Sequence, residues 1–424
     1  MAGARPLGGL LAAVAVSQTG TRLSAIALPW FVLASGGGAA RTGLVAFCEM
    51  TPYVLVKLLS GPVVDRAGPR VVSWTTDLVS ASCVLLVPLL HGAGALPFWL
   101  LLVLVACIGA ARGPGDLAKG VMVPAAADLS GVPLERATGL SGVVERLAGT
   151  VGPAAGGALI AVTGAMAGLV ANAVCFALGS LLIAAALPRG LGGRAAGAAP
   201  RAPDPAERGS GYRRRFAEGL AFLRGEPMLL GLVLLVGFTN FLDAAYSAVL
   251  LPVWAQESGH GTPAIGLLAG TFGGAAVCGS LVAATYAHRL RRRPVFFLSF
   301  LIGGAPRFLA LAFSADGTVP LWAVVPVFAV GGFGSGFLNP IIGAMSFERI
   351  PRDMLGRVQA IGASVAFAGI PLGGLMAGAL VGTVGIVPVI VAAAVLYFTA
   401  TTAPALLPAW RSMERTPQPL PTPA

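Results

Sequence analysis

GPVVDRAGPR, residues 61–70, sets Asp65, Arg66 and Arg70 among Gly61 and Gly68, between two long apolar runs. A charged turn this short between apolar segments lies at a membrane face, because hydrocarbon tolerates neither the charges nor an irregular backbone. The stretch recurs in degraded form as AHRLRRR from Ala287, which points to two related halves.

The rest of the chain fits that reading. Of 424 residues, 11% are charged and 56% hydrophobic, too little polar surface for a soluble protein of this size. The charges cluster and leave uncharged runs of about 20 residues, the length at which a helix crosses a bilayer. The runs do not alternate, which excludes a transmembrane barrel. The 59 glycines and 32 prolines are compatible with membrane helices, where small residues permit close packing. Twelve spans are expected: 7–34, 42–62, 71–91, 96–116, 138–163 and 166–187, then 229–255, 263–286, 294–314, 319–343, 357–383 and 385–408. The fold class is an all-α membrane protein, with pseudo-symmetric six-helix halves at 1–187 and 229–408. A linker at 188–228 joins them and a tail follows at 409–424. In the linker, YRRRFAEGLAFL (Tyr212–Leu223) has the spacing of an amphipathic helix lying on the inner leaflet.

The net charge of +11 reflects topology and not nucleic acid. With both termini on one side, 22 of the 28 Lys and Arg fall in segments on that side, Lys119 and Arg136 among them. Only Arg41 lies in a loop on the other. The positive-inside rule then places both termini in the cytoplasm. The five cysteines lie in apolar runs without metal-ligand spacing, and His91, His260 and His288 fall in loops. The apolar run after Arg5 continues to Ala34 and is read as an uncleaved first span.

Sliding the chain by 223 residues lays LSAIALPWF (Leu23–Phe31) over YSAVLLPVW (Tyr246–Trp254), matching Ser24 with Ser247 and Pro29 with Pro252. The same offset matches Gly43 with Gly266, and Asp65-Arg66 with His288-Arg289. Near span 5 the offset becomes 217, matching Gly152, Gly156 and Gly157 with Gly369, Gly373 and Gly374. Two six-span halves in parallel repeat are a transporter layout.

These features resemble the major facilitator superfamily, and within it the bacterial drug and siderophore exporters. Residues 61–70 resemble its loop motif Gly-x-x-x-Asp-Arg-x-Gly-x-Arg at every fixed position: Gly61, Asp65, Arg66, Gly68 and Arg70. On this reading Gly61 lets two helices approach, Asp65 and the arginines make interhelical charge contacts, and Gly68 permits the turn. The resemblance implies a latch that holds the outward-facing state. Span 5 carries Gly139-x8-Ala148-x3-Gly152-Pro153-x2-Gly156-Gly157, similar to the antiporter motif of drug-exporting members, with Ala148 where the motif has Gly. Pro351-x4-Gly356-Arg357-Val358 resembles the start of span 11 in the macrolide and enterobactin exporters.

Charges at membrane depth cost about 2.5–3.5 kcal/mol each on insertion scales, so they face cavities or partners. Arg22, with Gln18 one turn away, and Asp243, with Asn240 one turn away, are expected at equal depth in equivalent spans 1 and 7. There they would serve substrate binding or proton coupling, or form a salt bridge between the halves. Glu49 is a candidate for proton exchange, and Lys57 is too far along its helix to contact it. Asp77 is expected to pair with Arg70 or Arg112. Arg112 is a candidate site residue, and one of Glu145 and Arg146 is expected to face the cavity.

No G-x-x-x-x-G-K-[ST] or His-Glu-x-x-His sequence occurs, so neither ATP binding nor a membrane zinc enzyme is indicated. The expectation is a secondary exporter of amphipathic small organic molecules of drug, antibiotic or siderophore type. It would exchange them for protons by alternating access; an importer of the same fold is the alternative. No cofactor is implied. The expected partners are substrate, protons and membrane lipids, with the chain a monomer in a bacterial inner membrane. Twenty-six Arg against two Lys point to a GC-rich bacterial genome.

Overall fold

The computed structural model describes residues 5–189, 191, 212–286, 289–351 and 354–414. His288, half of the degraded second turn motif, lies outside them, as does most of the Pro-rich linker. Among the described residues, eleven helices are long and apolar enough to cross a bilayer. One of them, Leu134–Ala186, is two spans. Gly164 has φ 85° there, and Ile160 packs back against Gly168, so the chain reverses. Spans 1 to 4 are Arg5–Ala34, Gly38–Leu59, Pro69–Gly92 and Phe98–Ser130. Spans 5 and 6 are the two arms of Leu134–Ala186. Spans 7 to 12 are Pro227–Glu257, Gly261–Tyr286, Arg292–Phe313, Leu321–Arg349, Leu355–Val384 and Ile386–Leu406. Twelve crossings bring both ends of the chain to one side, here the terminal face; the other is the far face.

Several expectations are corrected. Span 4 runs to Ser130 and not 116, because helix continues beyond the apolar run; Lys119 therefore lies inside it and leaves the loop count. Residues 61–70 are not all turn: Gly61–Ala67 is a short helix, ended by Gly68 at φ 85°. His91 lies in the last turn of span 3. Helix Tyr212–Gly225 buries Leu223 with Leu229, Ile350, Val358 and Ile361, so it docks on the second half. Arg357 of span 11 donates to its Glu218 at 3.2 Å.

The sequence repeat reappears in backbone geometry. Most left-handed glycines, though not Gly68 or Gly131, come in pairs: Gly36 and Gly259 at φ 76°, Gly38 and Gly261 at 67°, Gly94 and Gly317 at 68° and 74°. Each pair is 223 apart. Gly164 and Gly385 (φ 85° and 83°) are 221 apart, which corrects the 217 offset read near span 5. Glycines spaced one helical turn apart align under either shift. Three-dimensional contacts decide: Gly157 pairs with Gly378, not Gly374. A Cβ built at Gly157 would lie 2.6 Å from Thr262 O and 2.8 Å from Gly266 Cα. One at Gly378 would lie 2.6 Å from Ala39 O and 2.9 Å from Gly43 Cα. Thr262 and Gly266 are the repeat partners of Ala39 and Gly43.

Identical sequence does not guarantee identical backbone. Pro29 sits within regular helix in span 1. Its partner Pro252 follows a π turn, Tyr246–Leu250, in which Leu251 N–H bonds back to Tyr246 O. A proline has no N–H to give its own ladder position, and the second half absorbs the gap by widening one turn.

Spans 1–6 pack on one another, as do spans 7–12, and the halves meet chiefly where span 2 crosses span 11 and span 5 crosses span 8. At these crossings glycine backbones touch, the close approach that small residues allow in membranes. Gln256 Nε2 also donates to Leu33 O at 3.3 Å near the far face. The contacts run from mid-depth to the far face, so the molecule is closed there. Bulky apolar side chains such as Val162, Leu181 and Trp322 are exposed on the outer surface, as suits contact with lipid.

Candidate functional site

Below the glycine crossings lies a cavity of about 540 Å³ between the halves. Its walls differ in chemistry. The first half contributes Gln18, Thr21, Arg22, Glu49, Tyr53, Arg112, Asp116 and Glu145; the second contributes Ala244, Ser247, Ala248, Phe367, Ile370 and Gly374. The repeat explains the asymmetry. At the positions equivalent to Arg22, Glu49, Arg112, Asp116 and Glu145 the second half has Ala245, Phe272, Ser335, Asn339 and Ala366. All the charged lining comes from the first half, beside its apolar Leu28, Val45 and Met50, and the second half's wall is apolar but for Ser247, which matches a ligand that is itself amphipathic.

Two linked groups organise the ionic wall. Arg112 Nη1 donates to Glu49 Oε1 at 2.7 Å, with both side chains about one-tenth exposed. Tyr53 Oη donates to Asp116 Oδ2 at 3.2 Å and accepts from Lys57 Nζ at 3.0 Å. Lys57 also lies 5.7 Å from the Phe367 ring, reaching across to the second half. Span 4 can come this close to span 2 because it has Gly109 and Gly113 at the contact. A Cβ at Gly113 would lie 2.8 Å from Tyr53 O, and one at Gly109 would strike the Glu49 carbonyl. This Gly-x-x-x-Gly spacing was a legible signal that span 4 meets another helix, and it locates the Glu49–Arg112 pair.

Arg22 faces the cavity and makes no ion pair or hydrogen bond among the described residues. Gly152 of span 5 holds it in place: a Cβ there would lie 2.8 Å from Arg22 Cβ. Gly156 packs on Leu23, and Gly157 and the Pro153 carbonyl pack on Gly266. The small-residue row of span 5 thus seats both span 1 and span 8. Gly139 does not share in this, since a Cβ there meets nothing within 4 Å. Of the adjacent charges, Glu145 lines the cavity, whereas Arg146 donates to Ser280 of span 8 at 3.0 Å.

Other expected residues lie elsewhere. Asp243 does not line the cavity: it is ion-paired to Arg307 of span 9. That guanidinium sits 4.8–5.5 Å from the ring centroids of Tyr246, Phe272, Phe308 and Tyr397. Span 9 breaks at Gly304 just before it, since any side chain there would collide with the Tyr397 ring. Asn240 Nδ2 donates to Ala366 O at 3.0 Å and ties span 7 to span 11. Asp77 pairs with neither Arg70 nor Arg112 but with Lys119, at 2.8 Å. In the turn motif, a Cβ at Gly61 meets nothing within 4 Å, so no helix approaches there. Asp65 is exposed and forms no ion pair among the described residues. Of the motif's charged residues, Arg70 alone makes an interhelical hydrogen bond among the described residues, from Nη2 to Ala184 O at 2.5 Å.

The Arg307 cage carries a prediction. Asp243→Asn removes the counter-charge from a buried guanidinium, a class of change that costs about 3–5 kcal/mol. The expected result is a thermal unfolding midpoint several degrees lower in detergent, with substrate affinity of the folded fraction unchanged. An unchanged midpoint would show that the pair is not needed for stability.

The sequence matches the Major Facilitator Superfamily over residues 10–242 and 233–424. It is 31% identical over 414 residues to the multidrug efflux pump Tap of Mycobacterium tuberculosis, covering 96% of this chain and 95% of that protein. The Tap pump of Mycolicibacterium fortuitum is 30% identical over 387 residues, with 90% of each chain covered. Among solved structures, the nucleoside transporter NupG superposes with a TM-score of 0.69 at 15% identity, over 96% of this chain and 98% of that one, a likeness of fold. With its twelve-span architecture and its cavity between paired halves, the chain belongs to the Major Facilitator Superfamily and is a multi-pass membrane transporter, not an enzyme.

Proposed function

We propose that this transporter exports amphipathic organic molecules of drug type across a bacterial cell membrane in exchange for protons. The cavity, with all its charges on one wall and a largely apolar wall opposite, carries the reading, and the Tap relatives named as multidrug efflux pumps support it. On this reading both termini face the cytoplasm, a placement that the distribution of basic residues supports. The state described is then inward-facing, with the far-face crossings closed. Arg22, Gln18 and Glu145 contact the polar end of the substrate, and Phe367 and Ile370 its apolar end. Glu49, held by Arg112, gives up and takes a proton as the halves rock.

The test is transport by the purified chain in proteoliposomes. An imposed proton gradient should drive accumulation of an amphipathic dye such as ethidium against its own gradient, in the export direction. Accumulation that ignores the proton gradient would overturn the coupling, and movement only in the import direction would favour an importer.

In this inward-facing state Asp65 is unpaired among the described residues, which fits a latch that closes only in the opposite state. Asp65→Asn should therefore shift the population toward the inward state and slow turnover about tenfold, leaving substrate Kd within about threefold. Stopped-flow turnover and equilibrium dye binding check this; unchanged turnover removes the latch role.

A further inference from the structure

The core of the first half holds a charged group that the cavity does not use. Lys119 Nζ donates to Asp77 Oδ1 at 2.8 Å and to Ser17 Oγ at 3.0 Å, joining spans 4, 3 and 1. Asp77 and Lys119 are only 3% and 4% exposed. The second carboxylate oxygen, Asp77 Oδ2, is buried without a hydrogen-bond partner. So are the hydroxyls of Ser73 and Ser80, one turn either side of Asp77 on the same face of span 3. Leaving such groups unsatisfied is costly, so their presence needs a reason.

Stability does not supply one. Under the 223 repeat, Asp77, Lys119 and Ser17 correspond to Phe300, Ile342 and Asn240. The second half builds the same layer with aromatic packing: Phe296 meets Phe300 at 5.0 Å and Trp410 at 5.7 Å between ring centroids. The fold therefore forms this layer without an ion pair, and buried ion pairs are in general no better than apolar packing for stability.

The surroundings point to charge exchange. Arg112, Asp116 and Lys119 stand at i, i+4 and i+7 on span 4, so the cavity-lining Asp116 is one turn from Lys119. Gly115 brings Thr76 and Asp77 against span 4, with a Cβ there 2.6 Å from Thr76 Oγ1 and 3.8 Å from Asp77 Oδ1. Span 1 offers the Ser17 hydroxyl. Span 6 brings Gly179 against Oδ2, with Cys175 one turn away as its titratable residue.

We propose that Asp77, held by Lys119 and Ser17, is a proton-binding site of the first half, sealed from the substrate and coupled to the cavity through Asp116 and Arg112. In this step Oδ2 accepts a proton to become a carboxyl O–H, on the face of span 3 that also carries the Ser73 and Ser80 hydroxyls. Lys119 keeps its charge and its bond to Ser17. Loss of the proton restores the ion pair. This rests on the proton-coupled reading above.

The experiment uses the charge-balanced pair Asp77→Asn with Lys119→Met, which leaves no unpaired buried charge. In proteoliposomes the double variant should exchange ethidium in counterflow within about threefold of wild type, yet accumulate it under a proton gradient at no more than about a tenth of the wild-type level. Gradient-driven accumulation at the wild-type level would overturn the proposal. Should the double variant not fold, pH-difference infrared spectra of the wild type and Asp77→Glu decide: a protonated-carboxyl band that moves in the variant supports the site, and an unmoved band overturns it. If wild-type accumulation itself ignores the proton gradient, the coupling reading fails. If only the double variant behaves as wild type, the Asp77 site alone fails.

Discussion

Gly157→Val is expected to keep the halves from closing at the far face and to reduce transport about 100-fold, the effect of about 3 kcal/mol against one state of the cycle. The reason is backbone contact. A Cβ at this position lies 2.6 Å from Thr262 O and 2.8 Å from both N and Cα of Gly266, and backbone atoms cannot rotate away as a side chain can. Valine adds two methyl groups to that collision. Because the repeat pairs Gly157 with Gly378, Gly378→Val should act alike at the span 2 to span 11 crossing. Spin labels on the far ends of spans 5 and 8 would report a longer distance in the variant. Wild-type transport by Gly157→Val would show that this crossing does not have to close.

Arg112→Met is expected to have the second large effect. It strands Glu49, whose side chain is about one-tenth exposed, without its cation. Removing one partner of a buried pair costs about 3–5 kcal/mol, whereas replacing both is often neutral. Arg112→Met should thus lower the unfolding midpoint, and Glu49→Gln with Arg112→Met should restore it. Neither should transport against a gradient. Glu49→Gln alone keeps a hydrogen-bond acceptor for Arg112 but cannot exchange a proton, so it should lose gradient-driven accumulation while retaining exchange. A Glu49→Gln variant that still concentrates dye would remove Glu49 from the coupling. Calorimetry and proteoliposome flux, run side by side, separate the stability effect from the transport effect.

Glu49 and Asp77 are distinguishable in practice. Glu49 lines the cavity, so its variants should also change the competition between substrate and protons; Asp77 does not line it. Asp243, the acid at mid-depth in span 7, instead pairs with Arg307, whose guanidinium sits in an aromatic cage.

The twelve spans and the two halves were legible in the sequence because they follow from quantities that add up along the chain: apolar run length, placement of arginines, and glycines at a fixed offset. The turn at Gly68 was legible too, since a left-handed φ nearly requires glycine. Charge partners were not. Glu49 and Arg112 are 63 residues apart, and Asp77 and Lys119 are 42 apart. Which carboxylate meets which cation depends on the rotation of each helix about its axis. Sequence sets only its depth, and an error of one residue turns a side chain by about 100°. The one-turn uncertainty between Gly374 and Gly378 has the same origin: a row of small residues looks alike after a shift of four. The sequence by itself determined that a two-fold repeated bundle crosses a membrane twelve times with charges at mid-depth. Only tertiary packing decided which of those charges line the cavity, among them Arg22, Glu49, Arg112, Asp116 and Glu145, and which pair away from it, because it is the contact of glycine with backbone that fixes how each helix is turned.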